Sequence, residues 1–360
     1  MSYLLAFAGF ALLIILHEAG HFAAAKAVGM RVERFSLFFG RPLVSVRRGE
    51  TEYGVGWAPL GGYVKITGMH PNEELPPEVA HRAYYRQPVW KRLVVIGAGP
   101  LVNLVLAFLI LWFVLAAHGP LETTRTVDEV QRASPAASVL KPGDEIVAVD
   151  GRRGGPARLR EQLGTHRCAG RQVDGCVAAT PAELTIVRDG REQTVSVSPR
   201  YDAEERRPLI GFLFAAENVP LPVGEAAGRS IDRMWFITEA TVRTITRLFY
   251  SAQARDEVSG VVGSYEATRQ SFEFDTWQAI MILGFISLSL AVVNLFPFLP
   301  LDGGHIFWAL AEKLRGRAVP FAVMERASIV GIVLVLMLFY IGLENDVDRI
   351  RDGEISRQIR

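Results

Sequence analysis

Four stretches of the chain are apolar over a length that could cross a lipid bilayer: residues 4–28, 93–117, 277–299 and 327–343. About 20 apolar residues are enough to span the hydrocarbon core as a helix. The pattern therefore predicts four transmembrane helices. The first stretch has no Lys or Arg before its apolar run and no cleavage-site pattern after it, which argues against a signal peptide.

Between the first two stretches, four short runs have the composition of β-strands, with glycines and prolines marking turns between them. The runs cover residues 32–39, 43–46, 53–57 and 63–67. We expect a small β-sheet lying against the membrane. One hypothesis is that an edge strand near Gly61, Gly62 and Tyr63 binds an extended substrate by strand addition. The alternative is a hairpin with only a structural role.

After the second apolar stretch, residues 119–215 predict a compact module outside the cell. A hairpin is predicted across the Asp189-Gly190 turn. The run SPAASVLKPGDEIVAVDG resembles a PDZ domain, a class of module that binds extended peptide ends by strand addition. The alternative is a spacer that limits access by size.

The two cysteines, Cys168 and Cys176, both lie in this module. A disulfide between them would close a short loop and add roughly 2 to 3 kcal/mol in the chain-entropy model. An oxidising compartment would permit it, and two free thiols are the alternative. We interpret the neighbouring His166 as a surface residue.

Residues 224–254 place apolar side chains mostly at helical spacing and interleave them with charged ones. Too many charges interrupt the pattern for a spanning helix. It predicts instead an amphipathic helix that lies along the membrane interface or packs on the bundle. Its role is either a substrate gate or plain packing.

Together these patterns predict an α-helical membrane protein with four transmembrane helices, a small membrane-associated β-sheet and one inserted extracytoplasmic PDZ-like domain. The predicted order is transmembrane helix 1 (1–29), a β region (30–70), a cytoplasmic linker (71–92), transmembrane helix 2 (93–117), the PDZ-like domain (119–215), the amphipathic helix (224–254), transmembrane helix 3 (277–299), a cytoplasmic-side loop (300–326), transmembrane helix 4 (327–343) and a tail (344–360).

Composition and charge agree with a membrane protein that has a sizeable water-soluble part. Half of the residues are hydrophobic and the net charge is only +1, so no basic balance suggests nucleic acid as a partner. Lys and Arg are concentrated in the connections 30–92 and 300–326, which the positive-inside rule places in the cytoplasm. The N-terminus, the inserted module and the C-terminus are then expected outside, in a cell membrane whose lipids are the immediate partners.

The first apolar stretch carries His17, Glu18 and His21. Ionisable groups at membrane depth are costly and by default functional. Histidines four apart lie on one helix face, so both imidazoles can bind one tetrahedral metal, and Glu18 can act as a general base without being a ligand. The alternative is that neighbouring helices satisfy all three side chains.

A third ligand is available at the end of the third apolar stretch. Pro297 and Pro300 should interrupt the helix there, and the break could turn Asp302 toward the two histidines, on the same side of the bilayer. Two His and one Asp leave the fourth tetrahedral position for water, as a catalytic Zn²⁺ requires. The alternatives are an Asp302 that only caps the following segment, and His305 as the ligand instead.

These motifs resemble the site-2 protease family of intramembrane zinc metalloproteases, in its bacterial branch. The resemblance covers HEAGH, GGYVK, the PDZ-like insert and the N-x-x-P-x-x-x-x-D-G run. It implies cleavage of single-pass membrane proteins, often anti-sigma factors, after a first cut outside. It implies zinc ligands at His17, His21 and Asp302, a general base at Glu18, and a substrate-holding segment that includes Asn294 and Pro297.

Two features depart from the family pattern, and both concern substrate selection. The chain has room for one PDZ-like domain where some relatives carry two, and Ser259-Gly260-Val261-Val262-Gly263 lacks a Pro usual in that run. Two rival functions stay open at this point. One is a different membrane zinc protease with a Glu as third ligand, and the other is a non-catalytic scaffold that binds peptides through the module. The sequence leaves the oligomeric state open.

Overall fold

The computed structural model describes residues 1–70, 73–248, 250–256 and 258–351. The first two residues of the predicted linker, 71–72, and residues 352–360 of the predicted tail lie outside this description. The chain forms two compact units. We call them the membrane unit, made of Met1–Ala117 and the chain from Pro222 onward, and the inserted unit, His118–Leu221.

The described residues form ten α-helices and ten β-strands. The helices are α1 (Ser2–Ala27), α2 (Pro77–Ala80), α3 (Val89–Ala117), α4 (Pro156–Leu163), α5 (Val223–Arg247), α6 (Ala252–Asp256), α7 (Val261–Phe274), α8 (Thr276–Asn294), α9 (Asp302–Arg315) and α10 (Phe321–Arg351). The strands are β1 (Val32–Arg48), β2 (Thr51–Ile66), β3 (Leu121–Val130), β4 (Glu145–Val149), β5 (Arg152–Arg153), β6 (Ala182–Arg188), β7 (Arg191–Val197), β8 (Arg200–Asp202), β9 (Arg207–Leu209) and β10 (Phe212–Asn218).

Four of the described helices, α1, α3, α8 and most of α10, are long and apolar enough to cross a membrane. The prediction of four such helices is confirmed at this level. Two of them extend beyond their apolar windows, since α3 begins at Val89 and α10 continues to Arg351. The predicted tail is therefore helical as far as residue 351. Hydropathy marks the part of a helix that can enter lipid, and the helix itself continues through polar residues.

The predicted small sheet is present as one antiparallel pair, β1 and β2. The four predicted runs merge into two long, irregular strands, because shifts in register absorb the Gly40-Arg41-Pro42 segment without ending β1. A buried cluster joins the sheet to α1 and α3. Its members include Met30, Val32, Ile66, Tyr84 and Val95.

An ion-pair cluster holds the turn between β1 and β2 against the end of α1. Glu50 accepts hydrogen bonds from Arg82 (2.7 and 2.8 Å) and from Lys26 (2.6 Å). Arg82, and after it Lys26, lower the pKa of the Glu50 carboxyl to about 2. The cluster therefore stays charged at physiological pH.

Three predictions for the second half of the chain need correction. The helix predicted over 224–254 ends at Arg247, and a separate short helix, α6, follows. The chain then forms α7, which was not predicted. The segment 300–326, predicted as a loop, contains the 14-residue helix α9. Between α8 and α9, residues 295–301 form turns around the two prolines, which cannot continue a helix.

A buried carboxylate fixes the start of α7 against α10. Asp346 on α10 is fully buried and accepts hydrogen bonds from the backbone N–H groups of Gly260 (2.9 Å) and Gly263 (2.7 Å). The first N–H groups of a helix have no partner within the helix. Asp346 therefore supplies the N-terminal cap of α7 from a different helix.

We expect Asp346→Ala to lower the stability of the membrane unit by about 1–3 kcal/mol, because it leaves buried N–H groups without an acceptor. The measurement is the apparent Tm of the purified protein in detergent. Glu344→Ala is the matched control, since Glu344 is an exposed acidic residue on the same helix. Equal Tm values for both variants would contradict the capping role.

The inserted unit is built on an antiparallel sheet with the strand order β10-β3-β4-β6-β7, on which β5 pairs with β4. The β6–β7 hairpin turns at Asp189-Gly190, as predicted. A buried cluster fills the interior, and its members include Val127, Ile146, Leu159, Leu184 and Ile186. Cys168 and Cys176 form a disulfide.

The interpretation of His166 as a surface residue is wrong. Its side chain is 8% exposed, and its Nε2 lies 2.8 Å from Asp150 Oδ2. Its Nδ1 lies 3.0 Å from the Thr180 carbonyl. Asp150, just after β4, and Thr180, which follows the disulfide in sequence, contact the two ring nitrogens, and these contacts depend on the fold.

Candidate metal centre

Two imidazoles meet one turn apart on α1. His17 and His21 are both 7% exposed, and their Nε2 atoms lie 3.3 Å apart. Residues i and i+4 are neighbours on one helix face, so the spacing alone accounts for this pairing. The structure therefore brings together the two histidines that the sequence pattern singled out.

Asp302, the first residue of α9, completes a triangle with them. Its Oδ2 lies 3.2 Å from His17 Nε2 and 3.3 Å from His21 Nε2. A tetrahedral metal with ligands at roughly 2.0–2.1 Å separates any two ligand atoms by about 3.3 Å. The three distances are those of one face of such a tetrahedron.

The chemistry of these donors also fits a metal. Asp302 Oδ2 is buried and receives no hydrogen bond of normal geometry from the described residues. His21 Nδ1 lies 2.8 Å from the Val95 carbonyl, which can only accept, so Nδ1 carries the proton and Nε2 keeps its lone pair. A buried anionic oxygen beside an imidazole lone pair is costly without a cation between them. Within the described part of the chain, His17, His21 and Asp302 are the one set of three such residues close enough to share a metal.

Glu18 lies next to this triangle without belonging to it. It is half-buried on α1, and its carboxyl faces the backbone of Val64 on β2. The strand approaches closely here, because a Cβ on Gly62 would lie 2.8 Å from Glu18 Cγ. The sheet therefore positions the Glu18 side chain as well as lining the site.

All four side chains open into one cavity of about 820 Å³. Most of its surface is apolar, from residues such as Phe10, Ile14, Ile286 and Leu290. Among the residues predicted to bind substrate, it is lined by Gly61, Gly62, Tyr63 and Asn294. Pro297 lies in the connection between α8 and α9 and is not among the lining residues. His305, one turn along α9 from Asp302, lines the cavity but is outside the three-residue set.

Two residues of α3 that touch the histidines were missed from the sequence. Asn103 is fully buried and its Nδ2 lies 3.2 Å from His17 Nδ1. Gly99 faces the His21 ring, where a Cβ would lie 2.3 Å from Nε2. The available signals were a lone amide in an apolar stretch and the small-residue run Gly97-Ala98-Gly99, both of which are typical of contacts between membrane helices.

We expect Gly99→Ala to lower both zinc content and proteolysis, because the added methyl group would displace the Nε2 of His21. Gly97→Ala is the matched control, since a Cβ at Gly97 would meet no atom within 4 Å. Metal analysis of the two purified variants checks the prediction. Wild-type zinc content in Gly99→Ala would contradict the prediction and would mean that α3 shifts to make room for the methyl group.

Comparisons with known proteins identify the family of the chain. The pattern of peptidase family M50 matches residues 5–338. The zinc metalloprotease Rip1 of Mycobacterium tuberculosis is 30% identical over 389 residues, covering 93% of this chain and 94% of its own. Metalloprotease MmpA of Caulobacter vibrioides is 28% identical over 386 residues, covering 93% and 92%.

A solved PDZ domain, from an SdrC-like protein of Listeria innocua, is matched over 93% of its length and 26% of this chain, at 17% identity and a TM-score of 0.21. The sequence relatives cover nearly the whole chain and are named as metalloproteases, which favours an enzyme over a scaffold and confirms the family resemblance. The chain belongs to peptidase family M50, the site-2 protease family, and is a zinc metalloprotease with membrane helices.

Proposed function

We propose that this protease hydrolyses a peptide bond in or near the transmembrane segment of single-pass membrane proteins. His17, His21 and Asp302 hold the zinc, and Glu18 is the general base. The observation that carries the proposal is the triangle of ligand atoms at 3.2–3.3 Å, contributed by α1 and α9 inside an apolar cavity. Such a cavity suits a hydrophobic substrate.

When bound, zinc supplies a Lewis acid that polarises the scissile carbonyl and makes a water more acidic. Glu18 takes a proton from the attacking water and passes it to the nitrogen of the leaving amine. The close approach of the β2 backbone at Gly62 limits where its side chain can lie during both transfers. The apolar walls exclude bulk water from the rest of the site.

The substrate reaches this site in an extended form. A peptide bond within a helix is shielded by the helix's own hydrogen bonds, so the cleaved segment must unwind first. Residues Gly61 to Tyr63 of β2 line the cavity and offer strand backbone for pairing with it. Asn294, at the end of α8, adds an amide that can bind a backbone group of the substrate.

Orientation follows from the distribution of charge. Basic residues in the connections 30–92 and 300–326 place both in the cytoplasm, and the inserted unit then lies outside. The inserted unit acts as a PDZ-like domain that binds peptide ends. Anti-sigma factors already cut once outside the membrane are the substrate class that the family suggests.

The test is cleavage of a single-pass membrane protein by the purified chain in detergent or liposomes. We expect cleavage that stops when a chelator removes zinc and returns when zinc is restored. A short water-soluble peptide of the same cleavage sequence, without its apolar flanks, serves as the comparison substrate. Preferential cleavage of the soluble peptide would contradict a function in the membrane.

A further inference from the structure

A buried amide contacts the second ring nitrogen of His17, the one that does not face Asp302. Asn103 on α3 is fully buried, and its Nδ2 lies 3.2 Å from His17 Nδ1. Its backbone carbonyl accepts a hydrogen bond of 2.9 Å from the buried Ser287 on α8. Packing between α3 and α8 therefore holds the amide against the ring.

The two histidines differ in what meets their Nδ1 atoms. At His21 the neighbour is the Val95 carbonyl, which accepts only and so fixes the proton on Nδ1. At His17 the neighbour is an amide, which donates through Nδ2 or accepts through Oδ1. The two ends of an amide have nearly the same shape. The tautomer of His17 therefore depends on which way Asn103 is turned.

Only one of the two orientations is compatible with a zinc ligand. If Nδ2 donates to His17 Nδ1, the proton of the neutral imidazole sits on Nε2 and points at Asp302. If Oδ1 accepts from Nδ1–H, Nε2 presents its lone pair to the metal. With Nδ2 toward His17, Oδ1 has no partner among the described residues. In the reversed orientation, Nδ2 takes the place of Oδ1 and is the unpartnered atom. The hydrogen bonds of the amide therefore do not decide its orientation. The orientation is decided by the position of the proton on His17 that zinc binding requires.

We propose that Asn103 is a positioning residue whose Oδ1 accepts a hydrogen bond from His17 Nδ1 and so selects the tautomer that binds zinc. This inference rests on the proposed function, because it needs His17 to be a ligand. A neutral amide suits the place, since its Oδ1 can accept from Nδ1–H without burying a charge of its own. Partners of this kind orient the imidazole and typically contribute 10- to 100-fold in metal affinity.

The experiment compares two variants of the full chain. Asn103→Leu keeps the approximate size without any hydrogen bond, whereas Asn103→Asp can still accept. Each purified protein is stripped of metal and titrated with Zn²⁺ against a competing chelator. We expect Asn103→Leu to bind zinc about 10- to 100-fold more weakly and Asn103→Asp to stay close to wild type. Ser230→Ala is the control for loss of a buried hydrogen bond, because Ser230 is fully buried on α5 and donates to the Ala226 carbonyl away from the site, and it should leave the affinity unchanged.

A second measurement separates selection of a tautomer from a general loss of structure. Nitrogen-15 spectra of histidine-labelled, metal-free protein report which ring nitrogen of His17 carries the proton. We expect Nδ1 in Asn103→Asp and Nε2 in Asn103→Leu. A purely structural role would leave the same nitrogen protonated in both. Where Asn103→Leu does not fold, an unprotonated Nδ1 in Asn103→Asp overturns the inference.

The failure of this inference is distinguishable from that of the proposed function. His17→Ala is measured in the same titration. If it binds zinc as the wild type does, His17 is not a ligand and the proposed ligand set is wrong. If His17→Ala loses zinc while a folded Asn103→Leu retains wild-type affinity, the ligand set stands and the role of Asn103 is wrong.

Discussion

Glu18→Gln is expected to abolish cleavage of a single-pass substrate while the protein stays folded and loaded with zinc. The substitution keeps the shape of the side chain and removes its ability to take a proton. General base catalysis typically contributes about 10²–10⁴-fold to a rate, and a loss at least this large is expected. Turnover of a membrane substrate and zinc content, measured on the same preparation, check the prediction.

The position of Glu18 makes this a specific test of its role. Glu18 is outside the three-residue set that can hold the metal, so zinc content should equal that of the wild type. Loss of zinc together with activity would make Glu18 part of the metal site instead. Unchanged turnover would remove it from the mechanism.

Much of the metal centre could be predicted because its information is local. His17, Glu18 and His21 lie within five residues of one helix, and helical spacing alone puts both imidazoles on one face. Asp302 is distant in sequence, but the two prolines before it predict the end of the preceding helix. The contact between α1 and α9 depends on the three-dimensional fold. From the sequence it could only be stated as an expectation.

The parts that were missed depend on contacts between helices. Asn103 and Gly99 lie in a stretch that hydropathy describes correctly as a membrane helix, and hydropathy does not say which side meets α1. The sequence predicts a loop where α9 lies, and Gly303-Gly304 in the first turn of this helix weaken helix propensity. The packing of α9 against α3 outweighs that weakness, with an ion pair of 2.6 Å between the buried Arg92 and the half-buried Glu312.

Asp302→Ala is expected to lose zinc and proteolysis together. Removing one of three ligands should weaken zinc binding by more than the roughly 10- to 100-fold typical of changes outside the first ligand sphere. Metal analysis after dialysis, and titration with Zn²⁺ against a chelator, check the prediction. Asp348→Ala is the matched control, because Asp348 is an exposed aspartate on α10.

The same variant decides between the two zinc-protease interpretations. In a membrane protease whose third ligand is a Glu on a nearby helix, Asp302→Ala would keep its zinc. In the arrangement proposed here zinc is lost, because Asp302 Oδ2 lies 3.2 and 3.3 Å from the two imidazole nitrogens and no other carboxylate of the described residues belongs to that set. Removing the carboxylate also removes the negative charge that offsets the cation in an apolar cavity. Zinc retained by Asp302→Ala, with both histidines still required, would show that another acidic residue closes the site.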